Sequence, residues 1–350
     1  MSTPGATQQQ RLPEADQARR LRNGLISVAI LVALIVGLVL AVPGLHGVGD
    51  VVVDMSPAWI AVAVLFEICS CIGFIVIFLR VFDRAPVRFG ARVALTEMAF
   101  GAVVSLGGAG SIAVGAWLLH ERGVPVGRVA ERSAVLFLLT SAINMITLAV
   151  FGLALGLGIL PGPSNPLLTL VPAGVAVAVF CFFLALPRAM DRFARKRESG
   201  RLTAILRGTA ATIRATRGTL LHPDWRLLGA VGYLWFDIGV LWACFEATGH
   251  TPPIAVIVLA YQIGYLANVV PIPGNIGVLE GSFAGMLVLY HVRATTAFAA
   301  AVVYHGIALW IPAIWGTIAF IRLRRSREPL EARPARPERQ RLRRERRRLG

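Results

Sequence analysis

The chain has 350 residues, of which 56% are hydrophobic and only 15% are charged, with a formal net charge of +16. A soluble globular domain carries about 25% charged residues, so this composition excludes an ordinary soluble protein. The Lys and Arg residues fall in a few blocks between long apolar runs, a pattern typical of membrane proteins that argues against nucleic-acid binding. We therefore expect membrane lipids as partners, with anionic inner-leaflet lipid bound by the basic loops.

Six apolar runs are long enough to cross a bilayer, because about 20 residues of helix match a hydrocarbon core of about 30 Å. In chain order they are Leu25–Val42, Ala58–Leu79, Ser133–Leu157, Leu167–Leu186, Leu227–Ala247 and Thr295–Phe320. A basic tail at residues 1–23 precedes them, and a second basic tail at residues 322–350, expected to be disordered, follows them. We predict an all-α integral membrane protein with its transmembrane domain at residues 24–321.

Two further apolar regions, Val93–Leu119 and Ile254–Tyr290, are interrupted by glycine or proline clusters. A single crossing by the first region would place the loop at residues 187–226, with its ten Lys and Arg residues, outside the cell. Basic loops favour the cytoplasmic side, so we predict instead a re-entrant helical hairpin. Both termini are then cytoplasmic in a multi-pass protein of the bacterial cell membrane. For the second region, the longer arms fit either a re-entrant hairpin or two short spans.

The order of span, interrupted region and span occurs twice, at about residues 58–157 and 227–320. In the predicted topology the two leading spans run in opposite directions, which defines an inverted-topology repeat of the kind found in many transporters. Paired interrupted segments mark the binding site in such proteins. Small residues four apart, at Gly277, Gly281 and Gly285, predict a helix face that another backbone approaches closely.

Residues 271–281 read P-x-P-G-x-x-G-x-x-E-G, after Tyr261-Gln262 and before a last span that contains Tyr304-His305. Together with the glycine cluster at residues 107–110, this motif resembles the lysylphosphatidylglycerol synthase transmembrane-domain (flippase-like) family. The resemblance covers about residues 20–325. It implies a stand-alone member without the synthetase domain, which moves a phospholipid or a lipid-linked head group between leaflets.

Ionisable side chains inside a span cost about 2.5–3.5 kcal/mol on insertion scales and are therefore functional candidates. Broken helices also present N–H groups that favour a phosphate, while nearby carboxylates suit a cationic group or a proton. The candidate substrate-binding and transport residues are Glu280, Asn275, Gly274, Pro273, Gly108, Glu67, Asp237, Glu97, His305 and Gln262.

The sequence contains no H-E-x-x-H, G-x-S-x-G or P-loop motif. We therefore expect no cofactor and no metal, and a transport activity that ATP does not drive. Two alternatives stay open: a membrane accessory or scaffold for lipid-modifying enzymes or glycosyltransferases, and an intramembrane lipid-modifying enzyme. An oligomer is also compatible with the sequence.

Overall fold

A computed structural model describes the chain in six segments, which are residues 47–83, 85–103, 109–195, 201–221, 224–266 and 277–325. The first predicted span, Leu25–Val42, lies outside the described residues, as do the N-terminal tail and residues 326–350. The same is true of residues 104–108 and 267–276 in the two interrupted regions. The described segments are helical and contain no β-strand, so the predicted all-α fold is confirmed.

Eleven α-helices and one short 3-10 turn (Trp225–Leu227) make up these segments. The helices are α1 (Val48–Val53), α2 (Pro57–Val81), α3 (Val87–Val103), α4 (Ala109–His120), α5 (Val126–Gly156), α6 (Pro166–Arg195), α7 (Arg201–Leu221), α8 (Leu228–Thr248), α9 (Ile254–Gly264), α10 (Val278–Leu289) and α11 (Ala294–Arg325). Helices α2, α5, α6, α8 and α11 are long and apolar enough to cross a membrane. They correspond to the five predicted spans within the described segments.

Helix ends follow local sequence signals. Pro57 occupies the first turn of α2, and Pro125 and Pro253 directly precede α5 and α9. Proline suits these positions because its fixed φ favours a helix start and its missing N–H would have no partner there. Gly249 ends α8 in the left-handed region, with φ of 72°. Between these ends the apolar backbone satisfies its own hydrogen bonds, as hydrocarbon surroundings require.

Both interrupted regions are pairs of short helices. The helices α3, α4, α9 and α10 have 17, 12, 11 and 12 residues. Their lengths of about 17–26 Å fall short of a hydrocarbon core of about 30 Å. The chain therefore repeats the order of long helix, two short helices and long helix, first as α2 to α5 and then as α8 to α11.

The leading helices of the two copies, α2 and α8, share the most extensive helix–helix contact. Near one end of the contact, Trp59 packs edge-on against Trp242, with ring centroids 5.3 Å apart. Further along, Ser70 donates a hydrogen bond of 2.9 Å to the carbonyl of Tyr233. Residue numbers rise along α2 while they fall along α8, so the two helices are antiparallel. This is the relative direction that an inverted repeat predicts.

Close approach of α2 and α8 depends on two glycines that face each other. A Cβ atom on Gly73 would lie 2.9 Å from the carbonyl oxygen of Gly229, and a Cβ on Gly229 would lie 2.7 Å from that of Gly73. In contrast, a Cβ on Gly281 or Gly285 would meet no described residue within 4 Å. No described residue closely approaches these two glycines, so the predicted packing face stays a prediction. Gly277 has φ of 85°, in the left-handed region that glycine adopts without steric cost. This glycine is therefore required at the turn that precedes α10.

Basic segments gather at one end of this helical body. Arg80, at the end of α2, forms an ion pair of 3.5 Å with Asp224, which precedes α8. Arg132, near the start of α5, donates a hydrogen bond of 3.1 Å to the carbonyl of Val81. Arg122, between α4 and α5, donates to a backbone carbonyl near the end of α11. The pair α3–α4 therefore begins and ends at this end, which we call the basic end.

The other loops meet at the opposite end. The Ser56 amide, before α2, donates a hydrogen bond of 2.9 Å to the carbonyl of Ala247 at the end of α8. The hydroxyl of Tyr290, after α10, donates a bond of 2.7 Å to the carbonyl of Leu168 at the start of α6. Arg293 is the single Lys or Arg residue in the described loops here. The pair α9–α10 begins and ends at this end, so the two short-helix pairs open toward opposite ends.

Replacing Gly73 or Gly229 with alanine should destabilise the fold by about 1–3 kcal/mol, because the added Cβ overlaps the facing backbone. Gly281→Ala is the matched control, since its Cβ meets no described residue within 4 Å. Thermal midpoints of the detergent-purified variants measure the effect. Equal midpoints for Gly73→Ala and Gly281→Ala would show that the crossing tolerates a side chain.

Single cysteines at positions 85 and 127 should react with a membrane-impermeant thiol reagent from the same side of the membrane. Positions 161 and 251 should react from the other side. The reason is that the first pair flanks α3–α4 at the basic end, while the second pair belongs to the opposite end. Labelling of intact and of inverted vesicles measures the sidedness, and labelling of positions 85 and 127 from opposite faces would reject this arrangement.

Candidate functional site

A buried aspartate joins three helices in the interior. Asp237 lies near the middle of α8, and its Oδ2 accepts a hydrogen bond of 2.5 Å from the hydroxyl of Tyr261 on α9. Its Oδ1 accepts a second bond of 3.0 Å from the hydroxyl of Tyr304 on α11. Both carboxylate oxygens therefore have a donor. Hydrogen bonds of this kind stabilise the charged form of a carboxyl group.

Glu67 lies across the helix crossing from Asp237. Its side chain is on α2 with only 3% of its surface exposed, and the Asp237 carboxylate acts on it electrostatically. One oxygen accepts a weak hydrogen bond of 3.7 Å from the thiol of Cys71. The other oxygen, Oε2, has no hydrogen-bond partner among the described residues. The two leading helices thus bring together the two acids that the repeat places at similar depth.

This acidic pair is costly to the fold. Within the described segments, the groups that act electrostatically on Glu67 and Asp237 include no arginine, lysine or histidine. A buried charge without an opposite charge destabilises a protein by about 3–5 kcal/mol. Apolar residues at these two positions would pack the helices without this cost. The pair is therefore a functional candidate.

A second buried pair lies at the start of α10. Oε1 of Glu280 is 2.7 Å from Nδ1 of His305, which projects from α11. Oε2 of the same carboxylate accepts a hydrogen bond of 2.7 Å from the amide of Gly277. A carboxylate in the first turn of a helix is stabilised by the helix dipole and by the unpaired N–H groups there. The short contact between Oε1 and Nδ1 joins α10 to α11 through one shared hydrogen.

The geometry changes the expectation that the start of α10 holds a phosphate. The amide of Gly277 is already bonded to Glu280, whose negative charge repels a second anion. A phosphate would have to displace this carboxylate. The Glu280–His305 pair therefore suits a hydroxyl-rich or cationic group better than a bare phosphate.

The remaining candidates occupy different places. Glu97 is buried on α3, and its carboxyl lies directly against Gly115 of α4, where no side chain would fit. Gln262 is buried on α9, and its Nε2 has no hydrogen-bond partner among the described residues. Four predicted site residues lie outside the described residues: Asn275, Gly274, Pro273 and Gly108.

Two tyrosines belong to the site although neither was among the candidate site residues. Tyr261 and Tyr304 pack around Phe283 of α10, with ring centroids 5.5 and 5.4 Å from that ring. Tyr304 precedes His305, so adjacent residues of α11 contact the two buried acids Asp237 and Glu280. A hydroxyl-bearing ring on an otherwise apolar helix was the signal that could have identified them.

These features define a polytopic α-helical membrane protein whose buried acids gather where long helices meet interrupted ones. Residues 24–316 match the family model described as the lysylphosphatidylglycerol synthase TM region. The chain belongs to this family, which confirms the resemblance seen in the sequence.

The chain is also similar to a UPF0104 membrane protein from Methanothermobacter thermautotrophicus. The two are 25% identical over 336 residues, which is 87% of this chain and 95% of the relative.

Removing one partner of the Glu280–His305 pair should be more harmful than removing both. His305→Ala leaves a buried carboxylate without its ring donor, which costs about 3–5 kcal/mol. The double variant with Glu280→Gln removes that charge and should regain part of the loss. Thermal midpoints of the two single variants and the double variant measure the coupling. Strictly additive losses would mean that the two side chains do not stabilise each other.

Proposed function

We propose that this protein moves a phospholipid or a lipid-linked head group between membrane leaflets without ATP. The observation that carries the proposal is the buried Glu280–His305 pair at the start of α10, the second arm of an interrupted helix pair. Interrupted helices at membrane depth are tolerated where they line a path or are buried in protein. Polar groups at such a break offer a head group partners that hydrocarbon lacks.

The arrangement of the short helices supports the same proposal. The pairs α3–α4 and α9–α10 open toward opposite ends of the body, as re-entrant hairpins in an inverted repeat would. We place the basic end in the cytoplasm, with both termini, because Lys and Arg concentrate on that side of a cell membrane. A head group could then pass from one hairpin to the other near the middle of the bilayer.

The scaffold alternative explains less of the interior. A scaffold needs an exposed binding surface, whereas Glu67, Asp237, Glu280 and His305 are all buried. Buried ionisable groups lower stability unless they are compensated, so their presence favours a role inside the membrane.

Glu280→Gln tests the proposal because it keeps the size of the side chain but removes its charge. A hydrogen bond to a charged group contributes about 1.5–3 kcal/mol, so lipid movement should slow by about 10-fold to 100-fold. The assay uses vesicles of phosphatidylethanolamine and phosphatidylglycerol with a trace of fluorescent phosphatidylglycerol. Dithionite quenching of the outer leaflet then reports movement of the probe.

Glu121→Gln is the matched control, because Glu121 is exposed in the loop after α4 and the chemical change is the same. It should move lipid at the unaltered rate. If the unaltered protein moves lipid no faster than empty vesicles, the proposed function is wrong for this probe. If the unaltered protein moves lipid and Glu280→Gln keeps the full rate, Glu280 is a structural residue.

A further inference from the structure

The two acids at the α2–α8 crossing receive hydrogen bonds unequally. Asp237 accepts two bonds from tyrosine hydroxyls, one at each oxygen. Glu67 accepts only a thiol contact of 3.7 Å, and its Oε2 is buried without a partner in the described part of the chain. Donors stabilise a carboxylate, and burial without donors penalises it. The charged form is thus supported at Asp237 and opposed at Glu67.

Two adjacent buried carboxylates repel each other, so such a pair tends to hold one proton between them. Within the described segments, none of the ionisable groups that act on the pair supplies a positive charge. These groups are Cys71 of α2, Tyr233 of α8, Tyr261 of α9 and Tyr304 of α11, and Tyr265 acts on the three tyrosines. The environment therefore accommodates one negative charge and one neutral carboxyl group.

We propose that Glu67 and Asp237 form a proton-exchange site in which Glu67 holds the proton and Asp237 holds the charge. When the Glu67 O–H bond breaks, the proton passes to water and the electron pair stays on the carboxylate. The reverse step takes a proton from water and restores the O–H bond. We further propose that this exchange accompanies lipid movement, a link that rests on the proposed function.

A proton fits this site better than a head group does. The exposed fractions of Glu67 and Asp237 are 3% and 9%, and those of Tyr261 and Tyr304 are 3% and 1%. A head group would have to displace these side chains, whereas a proton needs no additional space. Oε2 of Glu67 is the atom that is free to carry it, because no described group donates to it.

The position of the pair gives proton loss a mechanical consequence. Glu67 and Asp237 belong to α2 and α8, which touch backbone to backbone at Gly73 and Gly229. Loss of the proton places two like charges across this crossing, and they push the helices apart. Hydrogen bonds from Tyr261 and Tyr304 connect the Asp237 carboxylate to α9 and α11. A single proton therefore acts on the leading helices of both copies at once.

Infrared spectroscopy of the full chain in nanodiscs tests the site without any transport. The unaltered protein should show a protonated-carboxyl band that disappears as the pH rises. Glu67→Gln should remove this band, while Asp54→Asn, at an exposed acid outside the interior, should leave it. Tyr304→Phe removes one donor from Asp237, so the band should persist to higher pH. A band that is absent, or that ignores pH, overturns the proposal.

A pH gradient across the lipid vesicles described above tests the link to transport. The unaltered protein should change its rate of probe movement at least several-fold with the gradient, and Glu67→Gln should lose this response. If the rate of probe movement does not change with the gradient, the link between proton exchange and lipid movement is overturned. If the unaltered protein moves no probe, the proposed function fails. The infrared titration is still a separate test of the proton site. A band that titrates with pH supports the site, and the absence of such a band overturns it.

Discussion

The crossing of α2 and α8 sets the positions of the buried groups around it. Apolar helices gain little from the hydrophobic effect inside a bilayer, so their association depends on close packing of small residues. Gly73 and Gly229 provide that packing, with each α-carbon facing the other's carbonyl. The same antiparallel crossing places Glu67 opposite Asp237. The tyrosines of α9 and α11 then reach Asp237, so one backbone contact organises four helices.

Much of this fold could be predicted from the sequence because hydropathy and helix breaking are local properties. The long helices coincide with apolar runs, and the short ones with runs interrupted by glycine or proline. The meeting of Glu67 and Asp237 was also predictable in outline. A repeat assigns equivalent residues the same depth, and two acids at equal depth on adjacent helices are close to each other.

The tertiary contacts between helices could not be predicted in the same way. Gly281 and Gly285 have the spacing of a packing face, but which face of a helix meets a neighbour depends on the whole bundle. The glycines that matter, Gly73 and Gly229, are single residues without that spacing. Likewise, the sequence indicated an anion-binding helix start at α10. It did not show that the carboxylate of Glu280 occupies that start itself.

The opposed openings of α3–α4 and α9–α10 bear on the direction of any cargo. A path built from two related halves that face opposite ways offers the same steps in both directions. It therefore has no preferred direction of transport. Such a path equalises the leaflets unless something outside it differs between the two sides. In this protein the surfaces differ strongly, with basic residues at one end and a single arginine in the described loops of the other. Under the proposed function, net flow would then reflect the lipids and gradients that meet these surfaces, while the interior would set only the rate.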